Sequence, residues 1–169
     1  MTFDAPGQGG PAPDGGVMRD GVHIFAVRVY YEYTDAGGIV YHADYLRFAE
    51  RARTEMMRLF GMNHQDLMAQ SGVTFAVAHC EMTFHRPARL DDLLTVETRL
   101  TEVGGASMRL CQDIRRGADL LVGLRLRLAM MTPEGRAGRI PRDLRQALRD
   151  HMTGRPDGGA PPSSDAPET

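Results

Sequence analysis

Tyr31-Glu32-Tyr33-Thr34-Asp35-Ala36-Gly37-Gly38-Ile39-Val40-Tyr41-His42-Ala43-Asp44-Tyr45 compresses a strand end, a glycine turn and a helix start into fifteen residues. Gly37 and Gly38 can take positive φ without a Cβ penalty, so the backbone here can come close to a ligand. Val40 and Tyr41 then lead into the helix. Its first amides have no intrahelical acceptor and carry a partial positive charge, which suits them to an oxyanion or a polarised carbonyl. Asp35 beside such donors makes half of an acyl-transfer site. The same spacing also fits a plain turn in which Asp35 caps local amides, and the pattern by itself leaves both readings open.

Outward from this stretch the chain alternates toward its N-terminus and turns helical toward its C-terminus. His23, Phe25, Val27, Val29 and Tyr31 predict a first strand over Val22 to Tyr31. Tyr45, Phe48, Ala49, Ala52, Met56, Leu59 and Phe60 recur every three or four residues, which predicts a long helix from about Tyr41 to Phe60 with Gly61 as its C-cap. Asn63 and Asp66 read as a capping pair for a short helix running to Gly72. Past Gly72 the period becomes two. Ala76, Ala78, Cys80, Met82 and Phe84 form one face of a strand closed by Pro87. Leu94, Val96, Thr98 and Leu100 follow, then Met108, Leu110, Gln112 and Ile114, then Val122, Leu124, Leu126, Leu128 and Met130, with Gly104-Gly105 and Gly117 at the turns. Leu144 and Leu148 predict a closing helix from Pro141 to His151. Strands joined by such short turns must be antiparallel, because parallel neighbours need a long crossover. The class is therefore α+β, with an antiparallel sheet packed on one long helix.

At 169 residues, 42% apolar and 25% charged, the chain has the composition of one globular domain. Gly and Pro crowd residues 1–20 and 153–169 at the expense of apolar content, so both are expected to be disordered tails around a domain at 21–152. No apolar run reaches the length of a membrane span and no signal-peptide core is visible, so the expectation is a cytoplasmic protein with no integral membrane segment. All 20 basic residues are Arg and the net charge is -2, which gives no case for nucleic-acid binding. Without Lys there is no Schiff-base chemistry. Cys80 and Cys111 have neither a CxxC nor a Cys/His spacing, so they are expected to be buried free thiols rather than a disulfide or zinc ligands.

Arg28 to Glu32, Thr34 to Ala43, Tyr45 to Phe48 and Glu50 to Glu55, followed by Arg86-Pro87-Ala88-Arg89-Leu90-Asp91-Asp92-Leu93-Leu94, resemble the signature of the hotdog-fold acyl-CoA thioesterases, nearest the YbgC-like, Tol-Pal-associated branch, itself similar to 4-hydroxybenzoyl-CoA thioesterase. The likeness runs from about Val22 to Pro141. It implies a hotdog fold, an antiparallel five-stranded sheet wrapped around one long central helix. It also implies hydrolysis of an acyl-CoA thioester without metal or bound cofactor. Asp35 would be the nucleophile or the general base, and the backbone amide of His42 would polarise the thioester carbonyl. Gly37, Gly38, Val40 and Tyr41 would line the substrate site, an acyl carrier protein is a second possible thioester carrier, and a homodimer or homotetramer would share the site across a subunit boundary. Where the family usually carries a second Asp this chain has Tyr33, so a single acid is carried over.

Other residue types along the chain also carry chemistry. Glu50 and Glu55 lie on the long helix, from which some hotdog thioesterases take their acid, but Arg51 and Arg58 sit at pairing distance for solvated carboxylates. His79 and His85 lie in a strand without ligand spacing and are assigned no role. Ser71 and Ser107 lack a nucleophile-elbow context. The methionines on and near the helices read as adaptable core. Arg86 and Arg89, and also Arg136 and Arg139, have the planar fork that suits the phosphates of coenzyme A. The alternatives to hydrolysis are a non-catalytic acyl-CoA or acyl-carrier-protein binding module, and a hydratase or dehydratase in which the ring of His42 would act.

Overall fold

The computed structural model describes residues 15–62 and 64–152. Six strands form one antiparallel sheet in the order β1-β2-β4-β5-β6-β3. These are β1 (Val17–Arg19), β2 (Val22–Arg28), β3 (Thr74–Phe84), β4 (Leu93–Val103), β5 (Ser107–Arg116) and β6 (Asp119–Met131). The helices are α1 (His42–Leu59), α2 (His64–Ser71) and α3 (Arg142–Asp150). The sheet curls around α1, as the α+β reading requires.

The expected five strands become six. The additional β1 pairs Val17 with Ile24 and Arg19 with Val22, so residues 17–19 belong to the domain rather than to the expected N-terminal tail. Its turn is Asp20-Gly21, both at positive φ (48° and 74°), the backbone that a two-residue hairpin demands. β2 ends at Arg28 rather than Tyr31, and Tyr31–Tyr33 form a turn of 3₁₀ helix. Residues 1–14 and 153–169 and the capping role given to Asn63 lie outside the described residues.

The alternation read for β4, β5 and β6 holds: Leu94, Val96, Leu100, Met108, Leu110, Ile114, Val122, Leu124 and Met130 are all buried in the core. β3 differs. A bulge between Val77 and His79 shifts its register, so Phe75 and Val77 share the helix-facing side with Cys80, Met82 and Phe84, whereas Ala76 faces outward. One extra residue inverts a period-two pattern, which is why the expected face failed at Ala76 and Ala78.

α1 presents Tyr45, Phe48, Ala49, Ala52 and Met56 to the sheet. Gly61, at φ 74°, closes it by donating to the Arg58 carbonyl at 2.9 Å, the cap its position predicts. Leu59, counted on the apolar face, is 46% exposed because the helix leaves the sheet there. In its middle Arg53 is buried, donating to Gln112 Oε1 at 2.6 Å and pairing with Glu50. Gln112 in turn donates to the Ala49 carbonyl and to Thr98 Oγ1, each at 3.0 Å. None of the described helices is long and apolar enough to cross a membrane.

Candidate active site

The quoted stretch folds as a tight hairpin. Thr34 bridges Val40, Asp35 N donates to the Ile39 carbonyl at 2.9 Å, and Gly38 N donates to the Asp35 carbonyl at 3.0 Å. Gly38 takes φ 73° at the tip. Asp35 Oδ1 accepts from the amides of Gly37 (2.8 Å) and Ile39 (3.4 Å). The carboxylate therefore caps its own turn and not the helix, and among the described residues its Oδ2 accepts no hydrogen bond. Asp35 is exposed to solvent.

Tyr41 is the N-cap of α1, in extended backbone and with no side chain capping the first turn. The amides of His42 and Ala43 thus open the helix without an intrahelical acceptor. Their position is fixed from both sides. Tyr41 N donates to the Tyr33 carbonyl at 2.9 Å and Val40 N donates to the Ala88 carbonyl at 2.9 Å. Tyr33 is buried edge-on against Phe48 and accepts Arg51 Nη2 on its hydroxyl at 2.9 Å. It ties the hairpin to α1. The His42 ring leans on Tyr41, centroids 4.3 Å apart.

The far wall comes from the end of β3 and the turn after it. Ala88 N donates to the Tyr45 hydroxyl at 2.9 Å, and Tyr45 stands edge-on to Phe84 at 5.8 Å. Burial pushes the Tyr45 hydroxyl above its usual pKa, so it stays protonated as a structural anchor. Between these walls lies a cleft of about 430 Å³ that brings together Asp35, Val40, Tyr41 and His42 with Phe84 and His85. Arg86 also lines it and meets Asp119 at 3.3 Å. Gly37 and Gly38 shape the hairpin without lining the cleft. Arg89 lies outside it, its amide donating to Asp92 Oδ2 at 2.8 Å.

From the sequence His85 is assigned no role, and Phe84 and Tyr45 read only as apolar face residues, yet all three line the cleft. Their signal was the strand end at Pro87, which carries the β3 terminus to the helix start. Glu50 and Glu55 stay out of the cleft, paired with Arg53 and Arg58. Cys80 is exposed and Cys111 half-buried, contrary to the expectation of buried thiols: Cys80 lies on the uncovered helix side of β3, and Cys111 on the outer face of β5 opposite Arg99 and Arg125. Partial desolvation still pushes both thiols up, and Arg53 and Arg125 respectively pull them down.

The thioesterase superfamily model matches residues 37–122, from the hairpin tip into β6. The acyl-CoA thioesterase YbgC of Haemophilus influenzae is 46% identical over 104 residues, covering 62% of this chain and 76% of that protein. The acyl-CoA thioester hydrolase YbgC of Escherichia coli is 48% identical over 105 residues, covering 62% and 78%. Among solved structures, one described as a probable thioesterase from Bartonella henselae superposes with a TM-score of 0.69 at 40% identity, over 71% of this chain and 99% of that one. With its sheet, its central helix and its matched hairpin, this chain belongs to the thioesterase superfamily and has the hotdog fold.

Proposed function

We propose that this chain hydrolyses an acyl-CoA thioester to a free acid and coenzyme A. The observation that carries the proposal is a carboxylate with one unengaged oxygen in the same cleft as an uncapped helix N-terminus. Asp35 Oδ1 is held by two amides while Oδ2 is left for water or for the thioester carbon. The thioester carbonyl oxygen would sit at the His42 amide, where the helix dipole favours the negative charge that develops as the carbon becomes tetrahedral. In the general-base route Asp35 takes a proton from water, the water oxygen bonds to carbon, the C–S bond breaks, and the thiolate recovers the proton. In the nucleophilic route Asp35 bonds to the carbon and expels the thiolate, and water then cleaves the mixed anhydride. The relatives act on acyl-CoA by name, and a cytoplasmic location, where such thioesters are found, belongs to the same proposal.

A panel of acyl-CoA thioesters with detection of released thiol tests this. The expected result is turnover of at least one of them; tight binding of acyl-CoA without thiol release would replace hydrolysis by the binding-module reading. A single turnover in ¹⁸O-water that releases unlabelled acid would establish the nucleophilic route. Direct attack by water labels the first acid released, whereas an anhydride opened at the Asp35 carbonyl leaves it unlabelled.

We further propose that two copies pair through β3. This strand is eleven residues long at the sheet edge, and on its helix-facing side Val77 and Phe84 are 50% and 51% exposed. Such an edge invites a two-fold partner. Light scattering should return at least a dimer, and a monomer at micromolar concentration would sink the pairing.

A further inference from the structure

The active-site cleft does not end at His85. That residue also lines a second hollow of about 320 Å³ on the outer face of the sheet, together with Thr83, Asp113 and Gly123. Glu81, Cys111 and Arg125 are in turn shared with a third hollow of about 330 Å³, which adds His79, Arg109 and Arg127. Shared lining residues thus place the three hollows end to end along β3. From His85 to His79 the six steps along β3 span about 20 Å, a length comparable to an extended pantetheine arm.

Two features of this groove work against stability unless something fills it. The first is charge. Arg127 lies directly opposite Arg109 on β5, and like charges in register across a sheet are destabilising; on its other side it faces His79 on β3. Arg109 meets Glu102 at 3.1 Å, but among the described residues no carboxylate comes within ion-pair distance of Arg125 or Arg127. Glu81 is opposite Arg125 in register without forming a pair, and Asp113 is engaged by Arg99 and Arg115. The second feature is Gly123 in the middle of β6, between Thr83 and Asp113. A Cβ there would approach nothing closer than 4.0 Å, its nearest neighbours being Asp113 Oδ1 and His85 Nε2. Neither crowding nor backbone conformation demands glycine, which in a strand interior costs stability and often marks close approach by a ligand.

We infer that the outer-face groove holds the coenzyme A part of the substrate, its pantetheine arm passing His85 and crossing Gly123 and its nucleotide phosphates resting between Arg125, Arg127 and Arg109. This rests on the thioesterase reading of the cleft and adds the place of the leaving group. The unpaired guanidinium forks of Arg125 and Arg127 match phosphate oxygens, and an anion there relieves the repulsion between Arg127 and Arg109. Arg86, expected from the sequence to hold the nucleotide with Arg89, stands at the reacting end of this path instead.

The test compares one acyl group on two carriers, coenzyme A and N-acetylcysteamine, which lacks the nucleotide. Arg125→Gln/Arg127→Gln should raise KM for the CoA thioester about tenfold or more, the loss expected for charge-assisted contacts. It should leave kcat and hydrolysis of the short thioester unchanged. Gly123→Leu, which fills the floor without touching charge, should show the same selectivity, with melting temperatures confirming that both variants fold. Equal effects on the two carriers, or none, would overturn the groove. Calorimetry of free coenzyme A gives a readout independent of turnover. Binding by the parent that is lost in the double variant upholds the groove even if no thioester is hydrolysed, and binding that the variant retains overturns it.

Discussion

α1 carries polar groups at its start and in its middle, and the two places treat them in opposite ways. In the middle Arg53, Gln112 and Thr98 are buried and bonded to one another, and the second hydrogen bond from Gln112 goes to the Ala49 carbonyl. Eleven residues before Arg53, about 16 Å back along the helix, the amides of His42 and Ala43 have no cap, and Asp35 beside them has one oxygen engaged and one open. A fully satisfied network fixes how the helix seats on the sheet. A half-satisfied one leaves bonding capacity for a substrate. The contrast teaches that unmet hydrogen bonds at the surface, rather than polarity as such, distinguish a site from scaffolding.

The largest expected effect breaks the open end. Asp35→Asn keeps an oxygen that can accept the Gly37 and Ile39 amides, so the hairpin and the melting temperature should be unchanged. It should lower kcat on the best acyl-CoA by on the order of 10² to 10⁴, because the amide neither takes a proton nor forms an anhydride. A variant within threefold of the parent would reduce Asp35 to a turn residue.

Gln112→Ala should behave in the opposite way. It leaves Arg53 Nη1 and Thr98 without their partner in the core, although Glu50 still holds Nη2, a loss of about 2 kcal/mol, which lowers the melting temperature by roughly 4–8 °C with little change in kcat. If rate falls and stability holds, the two clusters are not separable as argued.

His23 supplies a smaller, graded test, because it combines both behaviours. It is fully buried, its Nε2 lies 2.8 Å from the Gly15 carbonyl, and its Nδ1 has no partner. Burial holds its pKa below the usual 6.5, against the opposing pull of the Gly15 carbonyl and of Glu55. The unfolded chain therefore binds this proton more readily than the folded one. Stability is full above about pH 6.5 and is lost as pH falls toward the lowered folded value. Melting temperature should decline between pH 7.5 and 5.5, and His23→Gln should flatten that decline; an unaltered slope would assign the pH dependence elsewhere.

The parts of the fold that were legible in sequence are those where one periodic face meets one partner. α1 and β4 to β6 bury the residues their spacing predicts because the helix covers one side of those strands and solvent the other. β3 was misread because the bulge near Ala78 leaves no mark in composition. β1 was missed although its turn, Asp20-Gly21, is a strong hairpin signal, because three residues among glycines become a strand only by pairing with β2. The same limit applies to the site. Asp35, Val40, Tyr41 and His42 are neighbours in sequence and were visible together. Tyr45 was read only as core, and Phe84 and His85 reach the cleft only through the bond from Ala88 to Tyr45, across 43 residues, which no local pattern encodes.

The unequal edges of the sheet carry a consequence for growth. One edge is β3, with eleven residues; the other is β1, with three, ending in Arg19 and the Asp20-Gly21 turn. A copy that docks by β3 uses up the adhesive edge of both molecules and turns only stubs outward. Under the β3 pairing proposed above, chain extension by strand addition would have nowhere to continue among the described strands, and edge pairing would close at two copies instead of propagating into a fibre.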